Sequence, residues 1–305
     1  VALVIGPGNP PTLAVLAWQW LSQGDERQQA KGALASLILL LALAMMALAA
    51  WGVWRLWRRR IPPVEGIRRP QPRALAGKSF ALLLPLCGVA CALLLAAAAQ
   101  NSQPVHDSVG NSLWLGLCSA AIGAVICLLW LALGPSRFGE WIWLPLILPA
   151  LPLVDGQYQL ALYTWLDGER LTVLWGHLLW VVPWMLFILR PAWRARDPRA
   201  ELVARTLGWQ RGRIFWLVTL PALTRPLLTA LAVGFSVSIA QYLPTLWLGG
   251  GRVATLTSEA VALSSGGDTS TLAAQALWQL LLPALFFAAT ALLAWLIGRY
   301  RQGLR

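Results

Sequence analysis

The chain has 305 residues, of which 58% are hydrophobic and 12% charged, and it carries a formal net charge of +12. This balance excludes both an ordinary soluble domain and a disordered tail, which carry far more charge per residue. The basic excess does not mark a nucleic-acid binder, because the arginines are spread over loops beside apolar runs, where anionic lipid headgroups attract them.

Apolar runs at 32–57, 79–99, 112–134, 140–154, 171–192, 224–247 and 273–298 are expected to be helices, about seven spans in an all-α polytopic bundle. Most reach the roughly 20 residues that cross about 30 Å of hydrocarbon. Lipid offers the backbone no hydrogen-bond partner, so each span must be helical. The run 140–154 is short and contains Pro145, Pro149 and Pro152. It is either a broken span or one that continues through Tyr158 to Trp165. Tryptophans such as Trp54, Trp57, Trp141, Trp143, Trp193 and Trp247 gather near span ends, as in interfacial belts.

The loops 58–78, 135–139, 193–223 and 299–305, with their flanking span ends, hold 20 of the 24 Lys and Arg. The opposite side holds Arg27, Lys31, Arg170 and Arg252. The positive-inside rule makes the first set cytoplasmic and turns 249–272 outward.

Cys87, Cys91, Cys118 and Cys127 all fall within spans and read as small buried apolar residues rather than metal ligands. Gly77-Lys78-Ser79 ends like a phosphate-binding loop, but Pro72 occupies the place of its first glycine and no strand precedes it. His106-Asp107-Ser108 reads as an outer loop, since adjacent residues rarely make a catalytic triad. His177, within a span, reads as a helix-packing residue.

The two ends of the chain repeat each other at a shift of 243 residues. Gly6, Gly8, Thr12, Leu13, Ala17, Ser22, Gly24 and Asp25 lie over Gly249, Gly251, Thr255, Leu256, Ala260, Ser265, Gly267 and Asp268. Each copy then enters an apolar span with a basic tail. Duplication explains this best. Residues 1–60 are then expected to be the end of a first half, 61–78 a cytoplasmic Pro- and Arg-rich linker, and 79–305 a second half of six spans. This reading also expects at least about 165 residues before residue 1.

The most informative stretch is Asp197 to Pro221, within the cytoplasmic loop 194–223. Asp197 is suited to cap a helix, Pro198 to open it, and Gly208 to stop it. Ala204, Gly208, Val218 and Leu220-Pro221 fall at the spacing of the pattern EAA-x3-G-x9-I-x-LP. Leu202, Val203 and Ala204 occupy the EAA positions, with Glu201 one residue early and Val218 in place of isoleucine.

On these residues the chain resembles the inner-membrane permeases of binding-protein-dependent ABC importers. Its two-half layout resembles the fused permeases of the thiamine and ferric-iron branch. Asn111-Ser112-Leu113, Gly176-His177 and the stretch 241–268 fit that branch, whereas Ala240-Gln241-Tyr242 departs from its Gly-Glu-Phe. The resemblance implies the type I importer fold in a bacterial inner membrane, with no catalysis, cofactor or resident metal of its own. It implies that Glu201, Leu202, Val203, Ala204, Gly208, Val218, Leu220 and Pro221 couple to a separate ABC ATPase dimer. It also implies a periplasmic or lipid-anchored solute-binding protein and a solute such as thiamine or ferric iron.

Ser236, Ser238, Gln241 and Tyr242 form a polar patch in the 224–247 run. Read as one helix, it places Ser238, Gln241 and Tyr242 on one face, either tying helices together or lining the solute path. The second is preferred here. Gly249-Gly250-Gly251-Arg252 reads as a turn rather than an anion cradle. The rival function is an ion-gradient-driven secondary transporter, which requires ionisable residues deep in the spans. A membrane-embedded enzyme is the other rival, and the sequence shows no convergent set of catalytic groups.

Overall fold

The computed structural model describes residues 12–21, 26–58, 75–134, 139–264 and 266–300, and the regular elements among them are helical. In chain order they are α1 (Leu13–Leu21), α2 (Glu26–Arg58), α3 (Leu75–Ala98), α4 (His106–Leu133), α5 (Ala150–Tyr163) and α6 (Arg170–Arg194). Then follow α7 (Pro198–Thr206), α8 (Arg211–Ala222), α9 (Thr224–Ile239), α10 (Leu243–Gly249), α11 (Leu256–Leu263) and α12 (Thr269–Tyr300). Among the described residues α2, α4, α6 and α12 are long and apolar enough to cross a membrane. Helices α8 and α9, which meet at 74°, make a fifth candidate if taken as one broken span.

The other expected crossings are α3, apolar over Pro85–Ala98, and the stretch 139–163. That stretch is broken. A 3₁₀ turn Gly139–Trp143 and a single turn Leu144–Ile147 precede α5, and Leu148 is extended with ψ 150°. The ring of Pro149 forces this, because the residue before a proline is driven out of the helical region. The second limb runs on to Tyr163.

Helix α9 is the centre of the bundle and packs on α4, α6 and α12, while α4 also packs on α6. Small residues allow the close approach, as expected where lipid gives no hydrophobic drive between helices. A Cβ at Gly234 would lie 2.6 Å from Met185 Sδ, and one at Gly116 would lie 2.7 Å from the Phe235 ring. Phe235 in turn stacks on Phe286 of α12, with centroids 4.3 Å apart. Cys127, Val181, Met185, Leu186, Leu189 and Ala230 fill the α4–α6–α9 interior.

Two sequence expectations fail in this bundle. Cys87 and Cys91 are exposed on α3, whose described outward face is the apolar surface Leu86, Val89, Leu93 and Leu94; Cys127 is the buried member of the set. The trio His106-Asp107-Ser108 is the first turn of α4, not a loop. Ser108 is buried and donates to Gln275 Oε1 on α12 at 2.9 Å. Asn111-Ser112-Leu113 likewise lies inside α4, where Ser112 Oγ accepts from Leu256 N and Asn111 donates to Ala254 O.

Helices α1 and α2 begin 243 residues before α11 and α12, the same shift as the sequence repeat, and each short helix packs on its long partner. Helix α2 reaches the rest of the molecule chiefly at α5. Ala17, Ala35 and Leu151 close that junction, with Trp18, Leu243 and Trp247 packed around them. The expected linker 61–78 lies outside the described residues up to residue 74, and its last residues begin α3. Gly77-Lys78-Ser79 is therefore helix, with no loop to wrap a phosphate.

Candidate functional site

Two folded turns make the loop between α6 and α9. Asp197 caps α7 by accepting from Arg199 N at 2.9 Å, with Pro198 at the first helical position. At the other end Gly208 takes φ +77°. Its N–H bonds Arg205 O at 3.0 Å, and the next N–H, of Trp209, bonds Ala204 O at 3.1 Å. This pair is the Schellman arrangement, which requires a left-handed residue where glycine stands.

After Gln210 the chain turns into α8. Its middle, Phe215–Thr219, winds as a π-helix. The wide turn leads into Pro221, whose ring would crowd the carbonyl of residue 217 in a regular α-helix.

Glu201 joins the two arms. Its carboxylate pairs with Arg196 and accepts from Thr219 Oγ1 at 3.0 Å. Arg196 is itself held flat over Trp193, its guanidinium carbon 3.7 Å from the ring centroid. One residue later on α7, Leu202 points the other way. Leu202, Val203 and Leu207 are 57%, 59% and 68% exposed, while Ala204 is buried at 5%. Val218, Leu220 and Pro221 are half-buried on the second arm. Glu201, one residue before the EAA positions, is thus an internal clamp, and the exposed side of α7 carries Leu202 and Val203 together with Arg199 and Thr206. Arg196 and Thr219 are functional candidates that the motif alone does not reveal. Arg205 and Arg211 line an open cavity of about 560 Å³ beside the clamp.

The expected helix 224–247 is interrupted. Helix α9 ends at Ile239, Gln241 and Tyr242 are non-helical, and α10 starts at Leu243. Ser238, Gln241 and Tyr242 therefore do not share one helical face. Ser238 is 2% exposed and bonds His177 Nδ1 at 2.8 Å, while Thr245 Oγ1 of α10 bonds His177 Nε2 at 2.9 Å. His177 bonds both sides of the break, with Ser238 as its partner on α9 and Thr245 as its partner on α10.

The freed carbonyls at the break are satisfied from elsewhere. Thr257 Oγ1 donates to Ile239 O at 2.5 Å and accepts from Gln279 Nε2 at 3.1 Å, and Thr245 Oγ1 donates to Gln241 O at 3.0 Å. Ser236 turns its hydroxyl to Ala232 O at 2.8 Å. Gln241 and Tyr242 remain half-buried, their side chains not taken up by these bonds. Beyond α10, Gly250 and Gly251 take φ +52° and +74°, a turn that sets Arg252 against Gly168.

Residues 79–301 match the family described as the inner membrane component of binding-protein-dependent transport systems. The chain belongs to this family. The matched stretch covers α3 to α12 almost entirely and leaves α1 and α2 outside. The chain is also similar to the inner membrane ABC transporter permease protein YnjC of Escherichia coli, with 59% identity over 305 residues. That alignment covers 100% of this chain, which spans 60% of the length of that relative. Family and relative are permeases, transport subunits that are not themselves enzymes. Together with the apolar helices they make this a multi-pass inner-membrane protein of all-α permease fold.

Proposed function

We propose that the chain forms a solute pathway of an ABC importer and that the loop 194–223 couples it to a separate ATPase dimer. The observation that carries this reading is the loop's surface. Leu202, Val203 and Leu207 are held in the open on a helix capped at both ends, on the arginine-rich side of the membrane. Exposed apolar side chains on a rigid element outside lipid support a protein partner. The clamp of Glu201 on Arg196 and Thr219 makes the two arms move as one unit, so force on Leu202 reaches Leu220-Pro221 and then α9.

In this reading residues 1–60 end a first half, 61–78 link, and 79–305 form the second half. Gln241 and Tyr242, at the interrupted helix, face the path, as discontinuous helices do in other transporters. A periplasmic or lipid-anchored binding protein delivers the solute, with thiamine and ferric iron the candidates that the two-half layout suggests. Replacing Leu202 and Val203 together by Asp in the full-length protein is expected to cut co-purified ATPase about tenfold or more. Undiminished ATPase recovery would refute the docking role.

A further inference from the structure

Basic side chains at the edge of a membrane attract anionic headgroups, and a basic pocket between spans holds them best. Helix α6, a candidate span, ends on the arginine-rich side with Arg190 and Arg194. These stand four residues apart and share a face. With Trp143, Phe187 and Pro191 they line a cavity of about 510 Å³. Phe187 is 63% exposed and Arg194 is exposed, so the cavity is open to the surroundings of the bundle. The described lining holds two positive charges and no acid. The Arg190 guanidinium carbon is 5.8 Å from the Trp130 ring centroid and 5.7 Å from that of Trp143, within cation–π reach of both. Both rings pack on the α4–α6–α9 interior, which fixes where Arg190 points. Toward the middle of α6 the surface turns apolar. Trp175, Leu178, Val182 and Pro183, with Ile126 of α4 and Pro145, line a second cavity of about 320 Å³. Phe187 follows Pro183 by one turn, about 6 Å along the helix.

We infer that this groove is a site for an anionic phospholipid. Its phosphodiester sits at Arg190 and Arg194, and an acyl chain runs over Phe187 into the second cavity. Charge complementarity selects the headgroup. The two arginines repel each other, and a phosphate between them relieves that repulsion. Guanidinium forks match phosphate oxygens and bind them through charge-assisted hydrogen bonds. A zwitterionic headgroup brings its own cation, which the pair repels. The surroundings select a lipid over a free phosphate. The arginines adjoin Trp143, Phe187 and Pro191, and the second cavity has no charged side chain in its described lining. A small ion leaves that apolar surface uncovered, whereas an acyl chain covers it. Bound there, the lipid bridges the broken stretch at Trp143 to α6.

The test uses full-length protein, delipidated in detergent, and native mass spectrometry with phosphatidylglycerol and phosphatidylcholine of matched acyl chains. The wild type is expected to retain phosphatidylglycerol about tenfold better or more. Joint Arg190→Gln and Arg194→Gln should remove most of that preference. Joint Arg190→Lys and Arg194→Lys should recover part of it, because the ammonium keeps the charge without the planar fork. Arg55→Gln is the control. Arg55 also lies over a tryptophan, 5.1 Å from the Trp51 centroid, but lines neither cavity, so its loss should leave the preference unchanged. Melting curves identify any variant that fails to fold, and Arg194→Gln alone, at an exposed position, then carries the same test. Equal retention of the two lipids by the wild type would show that another part of the protein covers the groove. An undiminished preference in the folded double variant, or an equal loss with Arg55→Gln, would place the lipid elsewhere. Displacement of the lipid by inorganic phosphate would make this an ion site. Each of these results overturns the assignment.

Discussion

Gly208→Val is expected to leave the protein inserted in the membrane and to weaken its association with the ATPase by roughly 5–30-fold. The cause is backbone, not space. A Cβ at Gly208 meets nothing within 4 Å, but φ is +77°. A β-branched residue there is a steric outlier, and left-handed backbone costs an L-residue about 1–2 kcal/mol. That strain, borne by the docked state, corresponds to the stated factor. Relief requires undoing the bonds from Gly208 N to Arg205 O and from Trp209 N to Ala204 O, which releases the end of α7 and the neighbouring Leu207. Gly208→Asn separates strain from bulk, because asparagine tolerates the left-handed region. Asparagine should keep most of the association that valine loses. Pull-down of the ATPase with each variant, at matched membrane levels, decides it. Equal recovery for glycine and valine would show that the turn does not set the docking surface.

The second large effect is on stability. Gly176→Val should lower the melting temperature of the solubilised full-length protein, through an overpacking cost of about 1–3 kcal/mol. A Cβ at Gly176 would lie 2.3 Å from Leu248 Cδ1 and 3.3 Å from Pro244 Cβ. Leu248 is fully buried, so it has little room to retreat. The displacement would also pull α10 from its neighbour His177, which reaches Ser238 and Thr245 across the break in α9–α10. Gly52→Val is the control, since a Cβ there meets nothing within 4 Å. A melting curve for Gly176→Val that overlays the wild type would mean that α10 does not pack as described.

The long helices were legible because apolar length is a one-dimensional signal. The expected runs 32–57, 171–192 and 273–298 became Glu26–Arg58, Arg170–Arg194 and Thr269–Tyr300. The caps of the loop 194–223 were legible too, because Asp197, Pro198 and Gly208 act on their own backbone. What failed depends on distant partners. The run from Thr224 to Trp247 contains no local stop before Pro244, and its break at Gln241-Tyr242 is held open by Thr257 and His177 from other helices. Pro244, near the first position of α10, was the one local sign available. Glu201 looked like a misplaced motif residue until Arg196 and Thr219 were seen on its carboxylate. Ser108 looked like loop because its partner Gln275 lies 167 residues away.

The central claim is that the exposed face of α7 that carries Leu202 and Val203 meets the ATPase. Its most direct measurement is photo-crosslinking from p-benzoylphenylalanine placed at Leu202 in the full-length permease in cells, with the adducts identified by mass spectrometry. The account predicts a dominant adduct with a nucleotide-binding ATPase subunit, absent when the same probe replaces the exposed Leu93 of α3. Adducts from Leu202 confined to lipid or to the permease itself, with the ATPase present, would contradict it.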